Sequence, residues 1–266
     1  MSRLAVTLCP AATLVLAGCA TLPNGHGWGE DASAALGWER VRAAAASALE
    51  SPRFWGPLAA AALIQVGGAD RRTSSWARAH TPVFGSTRSA VDWSDQLRAA
   101  SGYAYLASVL ATPSGSEPKE WLLEKLRGAA VGAAAIGVTD GESAWLKSAT
   151  ARERPNGEDR RSMPSSHASR SAVLTGLAER NLESLDLSHT TRGVLDLGLD
   201  ALTYGTAWAR VEAGFHFPSD TLVGVSLGNF NGAFFNDAFL GLPPGGPALA
   251  LMPLPRGAVL EVQLLH

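Results

Sequence analysis

This 266-residue sequence predicts an all-α protein, a helical bundle followed by a short C-terminal β-hairpin. Alanine is very abundant and β-rich runs are scarce, which favours helix before any periodicity is read. Proline, glycine and small hydroxyl residues cut the middle of the chain into stretches of helical length. Only the last segment, Ala258 to Leu265, alternates in strand fashion, with Leu260, Val262 and Leu264 on one face. Hydrophobic residues make up 46% of the chain, enough for one sizeable core, and a formal net charge of −2 gives no global attraction for nucleic acid.

Residues 1–18 read as a targeting segment rather than as part of the fold. Arg3 supplies a positive start, and Leu4 to Leu16 is an apolar run too short for a comfortable membrane span. The run ends in Leu16-Ala17-Gly18-Cys19, which resembles a bacterial lipoprotein signal, an ordinary secretory signal being the alternative. The resemblance implies that Cys19 is lipidated and becomes the new N-terminus. Ala20, not Asp, follows it, which implies the outer membrane over the inner. The chain would then sit in the bacterial cell envelope, facing the periplasm and touching the membrane through that anchor. Cys9 would leave with the signal, so the mature chain would keep no thiol for a disulfide or a metal cage. No His-Glu-x-x-His pattern exists either, and neither a metal site nor any other cofactor is expected.

Residues 19–31, rich in Gly, Pro and Asn, are expected to be a flexible tether, and residues 32–241 the helical domain. Leu36, Val41 and the alanine run to Leu49 begin a helical pattern, and Leu58 to Val66 reads as a short buried helix ending at Gly67-Gly68. Arg71 to Arg88 is polar and irregular and reads as a loop or a small excursion. Two helical stretches follow, around 90–110 and 119–138, divided by Thr112-Pro-Ser-Gly-Ser-Glu-Pro118. Gly128, Gly132 and Gly137 suit close helix approach, and charges interrupt every long apolar stretch, so the body reads as soluble. Scattered tryptophans read as core, and His26, His80, His189 and His266 as surface or satisfied residues. Leu242-Pro-Pro-Gly-Gly-Pro247 ends the last helix, and residues 242–266 form an extension in which Ala248–Leu251 and a Pro-Arg-Gly turn could complete the hairpin.

Three segments carry chemistry. In Lys147-Ser-Ala-Thr-Ala-Arg-Glu-Arg154-Pro155, seven residues make two helical turns to within about 20°. On that reading Lys147 and Arg154 share a face that suits phosphate oxygens, although from the segment alone a solvated basic helix end is the plainer reading. Pro164-Ser165-Ser166-His167 has the grammar of a helix start, where free N–H groups and the Ser165 hydroxyl could meet an anion and a protonated His167 could act as an acid. Its plainer reading is a capped helix with a surface histidine. In Arg210-Val-Glu-Ala-Gly-Phe-His216-Phe-Pro-Ser-Asp220, one helix ends near Gly214 and the next starts at Pro218. Asp220 is expected to reach back to one imidazole nitrogen of His216 and leave the other free to attack, unless the two are a structural capping pair.

Together, Lys-x6-Arg-Pro, Pro-Ser-x-His and Arg-x5-His-x3-Asp in that order resemble the type 2 phosphatidic acid phosphatase superfamily, which includes bacterial acid phosphatases and vanadium haloperoxidases. The motifs span Lys147 to Asp220, and the general helical character about residues 90–239. The resemblance implies a helical bundle in which Lys147, Arg154, Arg210, Ser165 and the amide of Ser166 bind phosphate. It implies His216 as the nucleophile that forms a phosphohistidine, Asp220 as its orienting carboxylate, and His167 as general acid and then base. The sequence departs from the family pattern at Ser166, where glycine is usual, and at Ala209, where serine is usual. The connection 156–163 is short and highly charged.

The expected function is metal-independent hydrolysis of phosphomonoesters or terminal diphosphates, on a phosphorylated lipid or a small phosphoester, with vanadate as an inhibitor. The competing readings are a haloperoxidase that holds vanadate as cofactor on His216, and a non-catalytic lipoprotein binding module.

Overall fold

The computed structural model describes residues 21–242, 248–254 and 257–263. In chain order the helices are α1 (Trp38–Glu50), α2 (Pro52–Gln65), α3 (Ala69–His80), α4 (Thr87–Ala111), α5 (Pro118–Thr150), α6 (Ser166–Glu183), α7 (His189–Glu212) and α8 (Pro218–Phe235). A π-helical turn, Asn236–Leu240, continues α8 and ends at Gly241, whose φ of 70° suits glycine. Antiparallel strands β1 (Ala248–Leu254) and β2 (Gly257–Gln263) pair with Leu251 opposite Leu260, forming the terminal hairpin. The expected lipoprotein signal, with Cys19, lies outside the described residues.

Helix α6 is the centre of the bundle, packed by α4, α5, α7 and α8. Its partner α8 comes closest. A Cβ at Gly228 would lie 2.3 Å from the Ser169 carbonyl oxygen, and one at Gly224 would lie 2.6 Å from that of Ser165. These two glycines, four residues apart, put backbone against backbone along one helix face. Much of the buried surface around α6 is small and polar, closed by hydroxyl pairs: Ser101 with Ser171 at 2.6 Å, Ser143 with Ser169 at 2.9 Å, and Thr175 with Thr203 at 2.6 Å. An apolar cluster that includes Val173, Leu177, Leu199 and Phe235 fills the remainder.

Several expectations are corrected. Residues 21–31 are not a free tether, because Trp28 is completely buried and its amide donates to the Pro113 carbonyl at 2.6 Å. Its indole occupies the space left by the missing Cβ of Gly128, and the Lys125 ammonium lies 5.5 Å from a ring centroid. Residues 69–80 are helical, not a loop. That helix turns Asp70, Ser74 and Ala77 inward, a polar face that hydrophobic periodicity does not reveal. Helix α2 is largely open to solvent, with Leu63 71% exposed, and Val66 just after its end is 70% exposed. Trp38, Trp55, Trp76, Trp93 and Trp145 are exposed too, so the tryptophans other than Trp28 do not collectively build the core. Among the described residues, no helix is long and apolar enough to cross a membrane.

Helix α5 stops earlier than the Lys147–Arg154 spacing suggests. Ala151 adopts a left-handed φ of 41° and its amide caps onto the Lys147 carbonyl, so Arg154 projects from the following loop. Pro164 also precedes α6 rather than sitting in its first turn, and Ser165 is the N-cap.

Candidate active site

The site forms where the end of α5, the loop 151–165, the start of α6 and the α7–α8 connection meet. Gly214 makes that connection tight. Its φ is +76°, a conformation that favours glycine, and a Cβ there would lie 2.7 Å from Arg78 Nε, so the Arg78 side chain would have to shift. Its carbonyl accepts from the Asn156 amide at 3.1 Å, which ties the loop to the connection.

His216 follows and is buried. Its Nδ1 lies 2.5 Å from the Ser162 carbonyl oxygen. A carbonyl can only accept, so Nδ1 carries the proton and Nε2 keeps its lone pair. Burial holds the imidazole pKa well below its usual value, and the charges of Lys147, Arg210 and Arg154 press it further in that direction. The three cations of the sequence motifs therefore act on one neutral histidine.

Each cation is held differently. Lys147 is buried, and its Nζ donates to the carbonyls of Arg161 at 2.8 Å and Pro164 at 2.6 Å. Burial, reinforced by Arg154, lowers its pKa to about 8. The Arg210 guanidinium donates to Ser94 Oγ at 3.3 Å and lies 4.2 Å from the Phe215 ring centroid, with its buried Nε unpartnered among the described residues. Arg154 lies 5.3 Å from the same ring and donates through Nε to Asp159 at 2.6 Å. Phe215 is thus a common platform for two cations that would otherwise repel.

His167 is the second residue of α6, with Nε2 2.9 Å from Asp95 of α4. Burial, then Arg210, lowers its pKa to about 4, while Asp95 opposes both. Ser165 is fully buried, its hydroxyl accepting from the Ala168 amide at 3.5 Å and its own amide donating to the Asp220 carbonyl at 3.0 Å. The cap uses only an oxygen lone pair, so it is the full burial of Ser165 that keeps its hydroxyl from being presented freely to an anion. Ser166 opens α6, so its amide belongs to the first-turn N–H groups that lack intrahelical acceptors.

Asp220 does not occupy the place expected for it. Its carboxylate makes no hydrogen bond to His216. It accepts from Ser162 Oγ at 2.5 Å, from the Phe217 amide at 2.8 Å and from Arg152 at 2.6 Å. The physical reason is helix geometry: Asp220 sits at N3 of α8 and its carboxylate turns back to cap the helix start. Arg152 also donates to Asp70 at 2.7 Å, and Asp70 accepts from the Ser219 amide at 2.9 Å and hydroxyl at 2.6 Å. Sequence reasoning missed Ser162, Asp95, Arg152 and Asp70. Asp95 lies 72 residues before His167, and nothing in its local sequence distinguishes it.

No family model matches the chain, and no curated protein matches its sequence. Among solved structures it is similar to the transmembrane PAP2-type phosphatidylglycerolphosphate phosphatase from Bacillus subtilis. The TM-score is 0.50 at 19% sequence identity, over 69% of this chain and 92% of that one. The chain has the helical fold of that PAP2-type protein.

Proposed function

We propose that this chain is a metal-independent phosphatase acting on phosphomonoesters or terminal diphosphates through a phosphohistidine on His216. One observation carries the reading: a buried, neutral imidazole with Nδ1 tied to Ser162 and Nε2 free, under the charges of Lys147, Arg154 and Arg210. Phosphoryl transfer demands mainly positioning and fixed positive charge, and these side chains with the start of α6 supply both.

In the first step Nε2 attacks phosphorus, a P–N bond forms and the P–O bond to the alcohol breaks. His167 gives its proton to the leaving oxygen. In the second, water attacks the phosphohistidine, His167 takes the water proton, and phosphate leaves with His216 neutral again. His167 must first be protonated, and an arriving phosphate dianion favours this by offsetting the charge of Arg210. Asp220 acts as a positioning residue that braces Ser162 and the start of α8.

The substrate is a phosphorylated lipid or a small phosphoester, and no nucleic-acid partner is proposed. Exposed apolar residues at helical spacing on α4 (Tyr103, Leu106 and Leu110) support contact with an amphiphile or a membrane surface. We place the protein in the bacterial cell envelope, anchored through lipidated Cys19, facing the periplasm and more consistent with the outer membrane than the inner.

The decisive experiment combines hydrolysis of an aryl phosphate without added metal, inhibition by vanadate, and trapping of labelled phosphate on the protein. His216→Ala should abolish both turnover and label. Wild-type protein that is inactive over a broad pH range and no different from His216→Ala would overturn the proposal.

A further inference from the structure

A pocket of about 380 Å³ opens next to the reaction centre, bounded by α3, the loop after α5 and Phe217. Arg154 belongs to both. Arg71, Arg78 and Arg152 join Arg154 in the wall, against one lining acid, Glu153. Arg152 is committed to Asp70 and Asp220, and Arg154 Nε to Asp159. Arg78 spends Nη1 on the Pro155 carbonyl and has no carboxylate partner among the described residues, while the Arg71 side chain has no hydrogen bond or ion pair among them. Ser74 also lines the pocket. It is only 1% exposed, and its hydroxyl has no partner among the described residues. A buried hydroxyl left unsatisfied is costly, and an acceptor in the pocket would remove that cost.

We propose that this pocket is a second anion site for a phosphoryl group, with Arg71, Arg78 and Ser74 Oγ on its oxygens and Arg154 coupling it to the reaction centre. A tetrahedral oxyanion suits this set, because guanidinium groups pair with phosphate oxygens in fixed geometry and the hydroxyl adds a donor. Two sources supply such a group: a second phosphoryl on the substrate itself, and inorganic phosphate in solution. The first rests on the phosphatase function proposed above; the second does not.

Calorimetric titration of the full chain with inorganic phosphate at pH 7 tests the site without requiring turnover. Wild-type protein should bind two equivalents, and Arg71→Glu and Ser74→Ala should each bind one, with unchanged helical circular dichroism. Arg210→Ala should keep the equivalent that Arg71→Glu loses. A wild-type stoichiometry that neither Arg71→Glu nor Ser74→Ala reduces, whether one equivalent or two, would overturn the site. Turnover then separates the sources, by comparing propyl phosphate with propane-1,3-diol bisphosphate. A KM about tenfold lower for the bisphosphate, erased by Arg71→Ala, assigns the group to the substrate. Equal KM values with two equivalents still bound assign it to free phosphate. No hydrolysis of either ester would sink the phosphatase reading and leave the titration to decide the site.

Discussion

The imidazole of His216 donates to the main-chain carbonyl of Ser162, whose hydroxyl in turn donates to the carboxylate of Asp220. One residue therefore stands between the acid and the histidine, serving one with its backbone and the other with its side chain. A backbone carbonyl fixes the imidazole tautomer as well as a carboxylate does, but it adds no full negative charge to stabilise an imidazolium. That suits a histidine kept neutral as a nucleophile.

Ser162 and Asp220 should accordingly respond differently to substitution. Ser162→Ala keeps the carbonyl and should leave kcat/KM within a few-fold of wild type. Asp220→Asn removes the charge that pairs with Arg152 in a buried setting, and should destabilise the fold by about 1–3 kcal/mol in urea denaturation. A Ser162→Ala loss as deep as that of His216→Ala would contradict the backbone assignment.

If His167 is the acid of the proposed mechanism, Asp95 should tune its pH dependence. Its hydrogen bond and charge raise the pKa of His167, against the larger lowering effects of burial and Arg210. Removing the charge in Asp95→Asn should lower that pKa further. Activity that needs protonated His167 should then fail at a lower pH, so the alkaline limb of the kcat profile moves toward acid. A profile that stays in place would remove Asp95 from this role.

The junction between α7 and α8 was legible in the sequence because Gly214 and Pro218 are local signals, whereas the end of α5 and the first residue of α6 were not. Also legible was the set Lys147, Arg154, His167, Arg210 and His216, whose spacing does not depend on knowing the tertiary contacts. What could not be read was anything set by side-chain direction. Lys147 and Arg154 act on the same histidine although Ala151 ends the helix between them, and Asp220 turns to its own helix start instead of to His216. Helix α3 was invisible for a different reason. It buries Asp70, which is hydrogen-bonded, and Ser74, whose hydroxyl has no partner among the described residues, so its inner face carries no apolar stripe.

The contact between α6 and α8 should be intolerant of a single methyl group. A Cβ at Gly224 would meet the Ser165 carbonyl at 2.6 Å and the Ser169 amide at 3.3 Å, and backbone cannot move aside as a flexible side chain can. Gly224→Ala should cost about 1–3 kcal/mol, and kcat should fall as the start of α6 shifts from the start of α8. A thermal melt matching wild type would show that the interface has more room than this geometry allows.

Trp28 gives a direct measure of whether the N-terminal segment belongs to the domain. Truncating a fully buried indole to Ala should cost about 3–5 kcal/mol and remove the aromatic face that Lys125 meets. A free tether would show no change in the urea midpoint.

Glu179, far from the chemistry, should make stability fall as pH rises. Burial raises its pKa to about 8, with Arg53 opposing from 2.9 Å and Asp200, Asp196 and Glu183 adding to the rise. A carboxyl whose folded pKa is raised contributes stability that is complete below its unfolded value and is lost as pH climbs through the folded one. Over pH 6.5 to 8, His167 and Lys147 interfere least. The lowered pKa of His167 costs stability as pH falls below 6.5, and that of Lys147 returns stability as pH rises above about 8. Within that window the wild-type urea midpoint should decline, and Glu179→Gln should decline less. Parallel curves for the two proteins would mean that Glu179 keeps its charge in the folded state, with Arg53 outweighing burial.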